Sequence, residues 1–393
     1  MQKYLFSLIS IFLLSCSTQE EIEQALDQLA VAKQTFGSNI DFIALANYAN
    51  QGKPSYVTKD NAGGNGIIDK QATLGRVLFY DKKLSIDNSI SCASCHKQAF
   101  AFGDTAVQSV GVLGGRTVRH SMRLINTRFA NESKFFWNER AASLEVQTTM
   151  PIQDHLEMGF SGQMGRGNMA TLLAKLQETP YYSELFTWAY GDNGVTETRI
   201  QSALAQFIRS IQSFDSKFDA GRAMSGNDQA PFPNFSAVEN QGKMLFLTAP
   251  LFNANSEPIG GGFGCQACHQ SPEFDIDPNS RNNGIAGVIG STDLDVNVTR
   301  APSLRDLMNA QGVVNGPLMH TAGVRGLNNV LGHYNDIQAP PRNTNLDPRL
   351  KPNNIGQKLL MTHDEMMAVV MFLRTLSGKN VYVDKKWSDP FVN

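Results

Sequence analysis

Apolar residues recur at helical spacing in two stretches far apart in the chain. Ile200, Leu204, Phe207, Ile208, Ile211 and Phe214 mark one face of a helix. Met366, Val369, Val370, Phe372, Leu373 and Leu376 mark another, entered through the capping box Thr362-His363-Asp364-Glu365 and stopped at Gly378. The two stretches share a word, since Phe207-Ile208-Arg209-Ser210-Ile211 matches Phe372-Leu373-Arg374-Thr375-Leu376. A second word repeats upstream of each, Gly75-Arg76-Val77-Leu78-Phe79 and Gly242-Lys243-Met244-Leu245-Phe246. Each half thus reads as a helix, long loops and a closing helix. No alternating apolar run is long enough for a useful strand, so the expected class is mainly α. Ala223 to Phe235, rich in Gly, Asn and Pro, reads as the linker between the halves.

Between the repeated words lies the candidate chemistry. Cys92-Ala93-Ser94-Cys95-His96 and Cys265-Gln266-Ala267-Cys268-His269 are both Cys-x-x-Cys-His, the attachment signature of c-type heme. Each thiol adds to a heme vinyl group and the histidine presents its imidazole to the iron. A disulfide would not need the histidine, and a zinc site would want further Cys or His near by. The chain has only seven histidines, so two falling behind two Cys-x-x-Cys pairs by chance is an unattractive alternative. Two covalently bound heme c groups are therefore expected, each filling much of its half's core.

The fifth cysteine bears on location. Lys3 precedes an apolar run from Tyr4 to Leu14, too short to span a bilayer and typical of an export signal. Leu13-Leu14-Ser15-Cys16 resembles a bacterial lipobox, in which Cys16 is acylated; a plain signal peptide with a stray cysteine is the alternative. The expected division is a signal at 1–15, a tether and lead-in at 16–60, a first heme domain at 61–222, the linker at 223–235 and a second heme domain at 236–393. Export fits heme c, whose attachment is completed outside the cytoplasm, so a periplasmic or outer-membrane-facing protein held by a lipid anchor is expected. The net charge of −2 offers no basic face for nucleic acid and no strong steering field.

From about Gly75 to Leu376 the heme motifs, their spacing and the words between them resemble the bacterial di-heme cytochrome c peroxidase and MauG family. The most specific word is Phe136-Trp137-Asn138-Glu139-Arg140-Ala141-Ala142, followed at the family's spacing by Gln147, Pro151 and Glu157-Met158. The resemblance implies two cytochrome c-like domains, with His96 holding a peroxidatic heme and His269 an electron-transfer heme. It implies that Gln147 and Glu157 line the distal side of the first heme and that Trp137 stands between the two. One carboxylate over an open iron suits peroxide, whose O–O cleavage needs a base and then an acid. For Glu157 the plainer reading is a solvated loop carboxylate, and for Trp137 a core tryptophan. The resemblance also implies a calcium ion at Asn126, Asn315 and Pro317, although Asn315 replaces a threonine of the family pattern.

Two positions depart from the peroxidase pattern. The family's displaceable histidine, about sixteen residues beyond the first motif, falls on Val112, which cannot ligate iron; His120 would substitute only if the loop were re-routed. The methionine expected fourteen residues after His320 is Tyr334, the ligand type of MauG-like members, with His333 as the competing ligand. Phenolate, a hard anionic donor, favours ferric over ferrous iron. Three functions stay open on this reading. The first reduces hydrogen peroxide with electrons from a small donor protein and is taken as the main expectation. The second uses peroxide-derived oxidising equivalents stored on the hemes to oxidise residues of a partner protein. The third is electron transfer without catalysis.

Overall fold

The computed structural model describes residues 27–391; the expected signal at 1–15 and the expected anchor at Cys16 lie outside them. The described residues form α1 (Ala30–Phe36), α2 (Asp69–Tyr80), the single turn α3 (Cys92–Cys95), α4 (Leu144–Gln153), α5 (Met169–Gln177), α6 (Pro180–Tyr190), α7 (Glu197–Ser210) and α8 (Lys217–Ala223). After these come α9 (Ala237–Leu247), α10 (Leu327–Asn335) and α11 (His363–Arg374). Among the described residues, sheet is confined to two short antiparallel pairs, β1 (Pro250–Phe252) with β2 (Pro258–Gly261) and β3 (His269–Gln270) with β4 (Asp275–Ile276). The class is mainly α with long loops, as the pattern predicts.

The repeated words mark the same packing event in both halves. In α2, a Cβ on Gly75 would sit 2.0 Å from Ala203 O of α7. In α9, a Cβ on Gly242 would sit 1.8 Å from Ala368 O of α11. Only glycine lets the two backbones approach so closely. The apolar faces then meet around Val77, Leu78, Leu204 and Phe207 in one core, and around Phe246, Val369, Phe372 and Leu373 in the other.

Helix α7 stops at Ser210 rather than running on to Phe214. Ser213 N donates to Asn126 Oδ1 at 2.8 Å, Asn126 Nδ2 donates to Ser213 O at 3.1 Å, and Asn126 N donates to Ile211 O at 3.0 Å. An asparagine side chain thus takes over backbone groups that a further helical turn would have used. The closing helix of the second half keeps its capping box, with Thr362 Oγ1 accepting from Glu365 N.

The two cores exchange segments. Phe232 and Phe235, from the 223–235 stretch, are buried in the second core. Val381 and Trp387 return to the first, where Trp387 Nε1 donates to Ser210 Oγ at 3.2 Å and Tyr80 Oη donates to Trp387 O at 2.6 Å. Leu29, Ala32 and Phe36, around α1, are buried in that same core.

Candidate functional site

The first Cys-x-x-Cys-His is set by local capping. Ser91 N donates to Ser94 Oγ at 3.0 Å, closing one turn that carries Cys92 and Cys95. Burial pushes the two free thiols up to about 12 and about 11. His96 follows as the turn ends, and its Nδ1 donates to Phe102 O at 3.1 Å. Ala101 and Phe102 both take positive φ (56° and 57°) in the turn that brings this carbonyl round. The bond fixes the tautomer and leaves Nε2 unprotonated, as a metal ligand requires.

Beside this motif two loops press together. Val112 N donates to Glu157 O at 2.9 Å, and a Cβ on Gly111 would meet Leu156 O at 1.9 Å. Asp154 Oδ1 accepts from Leu156 N at 2.8 Å and Glu157 N at 3.1 Å, which fixes the turn. The half-buried Glu157 carboxyl has no hydrogen bond or ion pair among the described residues. Burial, helped by the Asp154 charge and opposed by Arg140, raises it to about 7. Its charge in turn adds to the upward push on Cys92 and Cys95, so all three belong to one neighbourhood. Val112 is buried against the same loop. Gln147 is half-buried on α4, its side chain without a partner among the described residues.

The second motif opens on a cavity of about 440 Å³, mostly apolar, whose wall includes Cys265, Cys268, His269, Met319 and Tyr334. Burial drives His269 down to about 4, so the imidazole is neutral and able to ligate. Asn283 Nδ2 donates to Tyr334 Oη at 3.0 Å. His333 Nε2 donates to Asn283 O at 2.9 Å, and His333 does not line the cavity. Burial holds the Tyr334 phenol well above its usual range, so only a cation at Oη would draw off its proton; the Asn283 bond favours the resulting anion. Two thiols, a neutral imidazole and a phenol converging on an apolar space of this size fit a covalently attached heme.

Trp137 joins the halves. It is buried and borders the second cavity, and its Nε1 donates to His120 O at 2.7 Å. Its ring meets that of His320 edge-on at 6.1 Å.

A family model described as di-haem cytochrome c peroxidase matches residues 69–229. The chain is 29% identical over 321 residues to the methylamine utilization protein MauG of Methylophilus methylotrophus, covering 80% of this chain and 84% of that protein. It is 27% identical over 333 residues to the cytochrome c551 peroxidase of Nitrosomonas europaea, covering 82% of each. This chain belongs to the di-heme cytochrome c peroxidase and MauG family.

Among solved structures, this di-heme family member resembles a MauG-like protein associated with microbial copper homeostasis, with TM-score 0.65, 25% identity, and 87% of this chain and 99% of that one covered. The diheme peroxidase BthA of Burkholderia thailandensis shares the fold, with TM-score 0.61 and 20% identity over 86% of this chain and 94% of that one. The protein is an oxidoreductase with two c-type hemes.

Several expected residues sit in unexpected company. His120 lies on the wall of the second cavity, with Nδ1 donating to Ala106 O at 2.9 Å. Asn126 and Asn315 approach one neighbourhood through Ser213 and Asp306, but both amides are engaged. Asn126 binds Ser213, and Asn315 Nδ2 donates to Asp306 O at 2.9 Å and Tyr382 Oη at 2.8 Å. Pro317 borders the second cavity. Sequence reasoning missed Asn283, which holds both Tyr334 and His333 from a loop without periodicity.

Proposed function

We propose that this enzyme reduces hydrogen peroxide at the His96 heme, with electrons relayed from the His269 heme. The observation that carries the reading is Glu157, a carboxyl without a partner, raised to about 7 beside the first heme-attachment motif. A group balanced in this way can take a proton from the inner peroxide oxygen and return it to the outer one, which leaves as water. The heme, when bound, supplies an open iron and the capacity to pass electrons singly. Val112 supports the open position, because its side chain carries no ligand atom. Gln147 is assigned to peroxide orientation and Trp137 to the junction through which the halves exchange electrons. A calcium at Asn126, Asn315 and Pro317 belongs to the same reading.

Tyr334 on the cavity wall favours a second reading, in which the enzyme oxidises residues of a partner protein instead of consuming a small donor's electrons. An anionic ligand at the second heme would suit the storage of oxidising equivalents. Export and anchoring at Cys16 would place either activity outside the cytoplasm. The test is peroxide turnover with an artificial electron donor. Glu157→Gln should lower it by roughly a hundredfold or more with heme content unchanged. Unchanged turnover would remove Glu157 from the mechanism.

A further inference from the structure

Of the four arginines that border the second cavity, Arg349 pairs with Asp277 and Asp347 and Arg281 is exposed, whereas Arg123 and Arg300 are at least half-buried and form no ion pair among the described residues. Arg300 is buried, and its Nη1 donates to Lys134 O. Arg123 places Nη2 on Ser303 O at 3.0 Å, while its Nε is buried without any partner. The other buried arginines among the described residues have a counter-ion or several acceptors, although Arg305 Nε is also left without a partner. Arg305 pairs with Asp219 at 2.9 Å, and Arg209 pairs with Glu145. Arg76 has no carboxylate but spends three nitrogens on Ser388 O, Asn39 O and Ser388 Oγ. Arg123 and Arg300 have neither solution.

A buried guanidinium without a counter-ion is strongly unfavourable. The carboxyls that act on Arg300 from a distance, and Asp306 that acts on Arg123, all lie beyond ion-pair distance of the two guanidiniums, although Asp275 and Asp306 each keep one buried oxygen without a partner. Glu132 accepts from Lys134 N, Glu139 Oε1 accepts from Thr299 Oγ1 at 2.8 Å, and Asp275 pairs with Lys59 at 2.7 Å. No carboxylate among the described residues pairs directly with either guanidinium, so an anion entering the cavity they border can do so. Heme c brings two carboxylates, its propionates, and planar forked guanidinium is the side chain best matched to a carboxylate. We propose that Arg123 and Arg300, one from each half of the chain, hold the propionates of the second heme. The inference rests on heme c at the second motif and not on the peroxidase reading.

The arginines are positioning residues, and their effect is read in the resting holoenzyme without peroxide. Removing a cation beside the heme should favour the ferric state. In a spectroelectrochemical titration, Arg123→Gln and Arg300→Gln should each shift the second heme's reduction equilibrium about tenfold toward ferric, ~59 mV for a one-electron couple. The first heme should move less, and heme content should hold because the thioethers remain. Arg123→Lys, which keeps the charge but loses the fork, should recover part of the shift. An unmoved second heme, equal movement of both hemes, or a lysine variant no better than glutamine would overturn the assignment. Should the glutamine variants fail to accumulate with two hemes, the unmodified enzyme still decides. Its propionate resonance Raman bands should shift on transfer to deuterated water if N–H donors hold them, and an absence of shift overturns the proposal.

Discussion

Glu157 makes opposite predictions for activity and stability. Moving a carboxyl from 4.5 to about 7 corresponds to roughly 3 kcal/mol, at 1.36 kcal/mol per pH unit. The sign follows from proton linkage. Between those two values the folded chain holds the proton that the unfolded chain has released, so stability falls as pH rises through this window. Above pH 7 the buried charge imposes its full penalty; below about 4.5 it imposes none. Glu157→Gln removes the ionisation, so the variant should gain stability over the wild type at pH 8, by up to roughly 3 kcal/mol. For a chain of this size that is about 4 °C in Tm. The gain should vanish at pH 4. Peroxide turnover of the wild type should fall as pH drops below 7, while the variant stays low throughout. Thermal unfolding of both holoproteins across this pH range, alongside turnover, tests the two halves together. If the stability difference does not change with pH, the carboxyl is well solvated, and its fitness as a base near neutrality loses its physical cause.

Other consequences follow from the same structure. Tyr334→Met should raise the second heme's potential, because a neutral sulfur donor favours ferrous iron, whereas His333→Ala should leave it nearly unmoved; the reverse pattern in a redox titration would make histidine the ligand. Val112→His should convert the first heme from high-spin to low-spin in the resting ferric electron paramagnetic resonance spectrum and slow peroxide binding; two low-spin hemes already present in the wild type would refute the open-iron reading. Gly242→Ala should weaken the second half by several kcal/mol through a collision with Ala368 O, read as a fall in Tm, and wild-type stability would refute the close-packing argument. Chelation should release about one calcium per chain by metal analysis and alter the heme spectra; no released calcium removes the ion from Asn126, Asn315 and Pro317.

What could be read from the chain was local. The heme motifs are five consecutive residues, and α7 and α11 announce themselves through helical periodicity and caps. Gly75 and Gly242 were visible as repeated words, though not as contacts, because the atoms they admit belong to helices far along the chain. Periodicity alone carries α7 on to Phe214, whereas its stop is imposed by Asn126, a distant side chain that captures Ser213. The position of His120 on the second cavity has the same character. It depends on how the loop after the first motif crosses to the other half, and no spacing rule encodes that crossing. Asn283, Arg123 and Arg300 were invisible for the opposite reason: each is an ordinary polar residue in a loop, given meaning only by the cavity it faces.

The return of Val381 and Trp387 to the first core has a consequence for how the protein is made. Synthesis runs from the first half to the second, yet the seam beside Ser210 and Tyr80 is sealed only by residues near the far end. Until these emerge, the first half is an incomplete core with apolar surface open to solvent, a state prone to non-native association. The first Cys-x-x-Cys-His therefore lies in a half whose core is completed only by residues far along the chain. A chain cut short after α11 would retain every heme-attaching cysteine and still lack the latch.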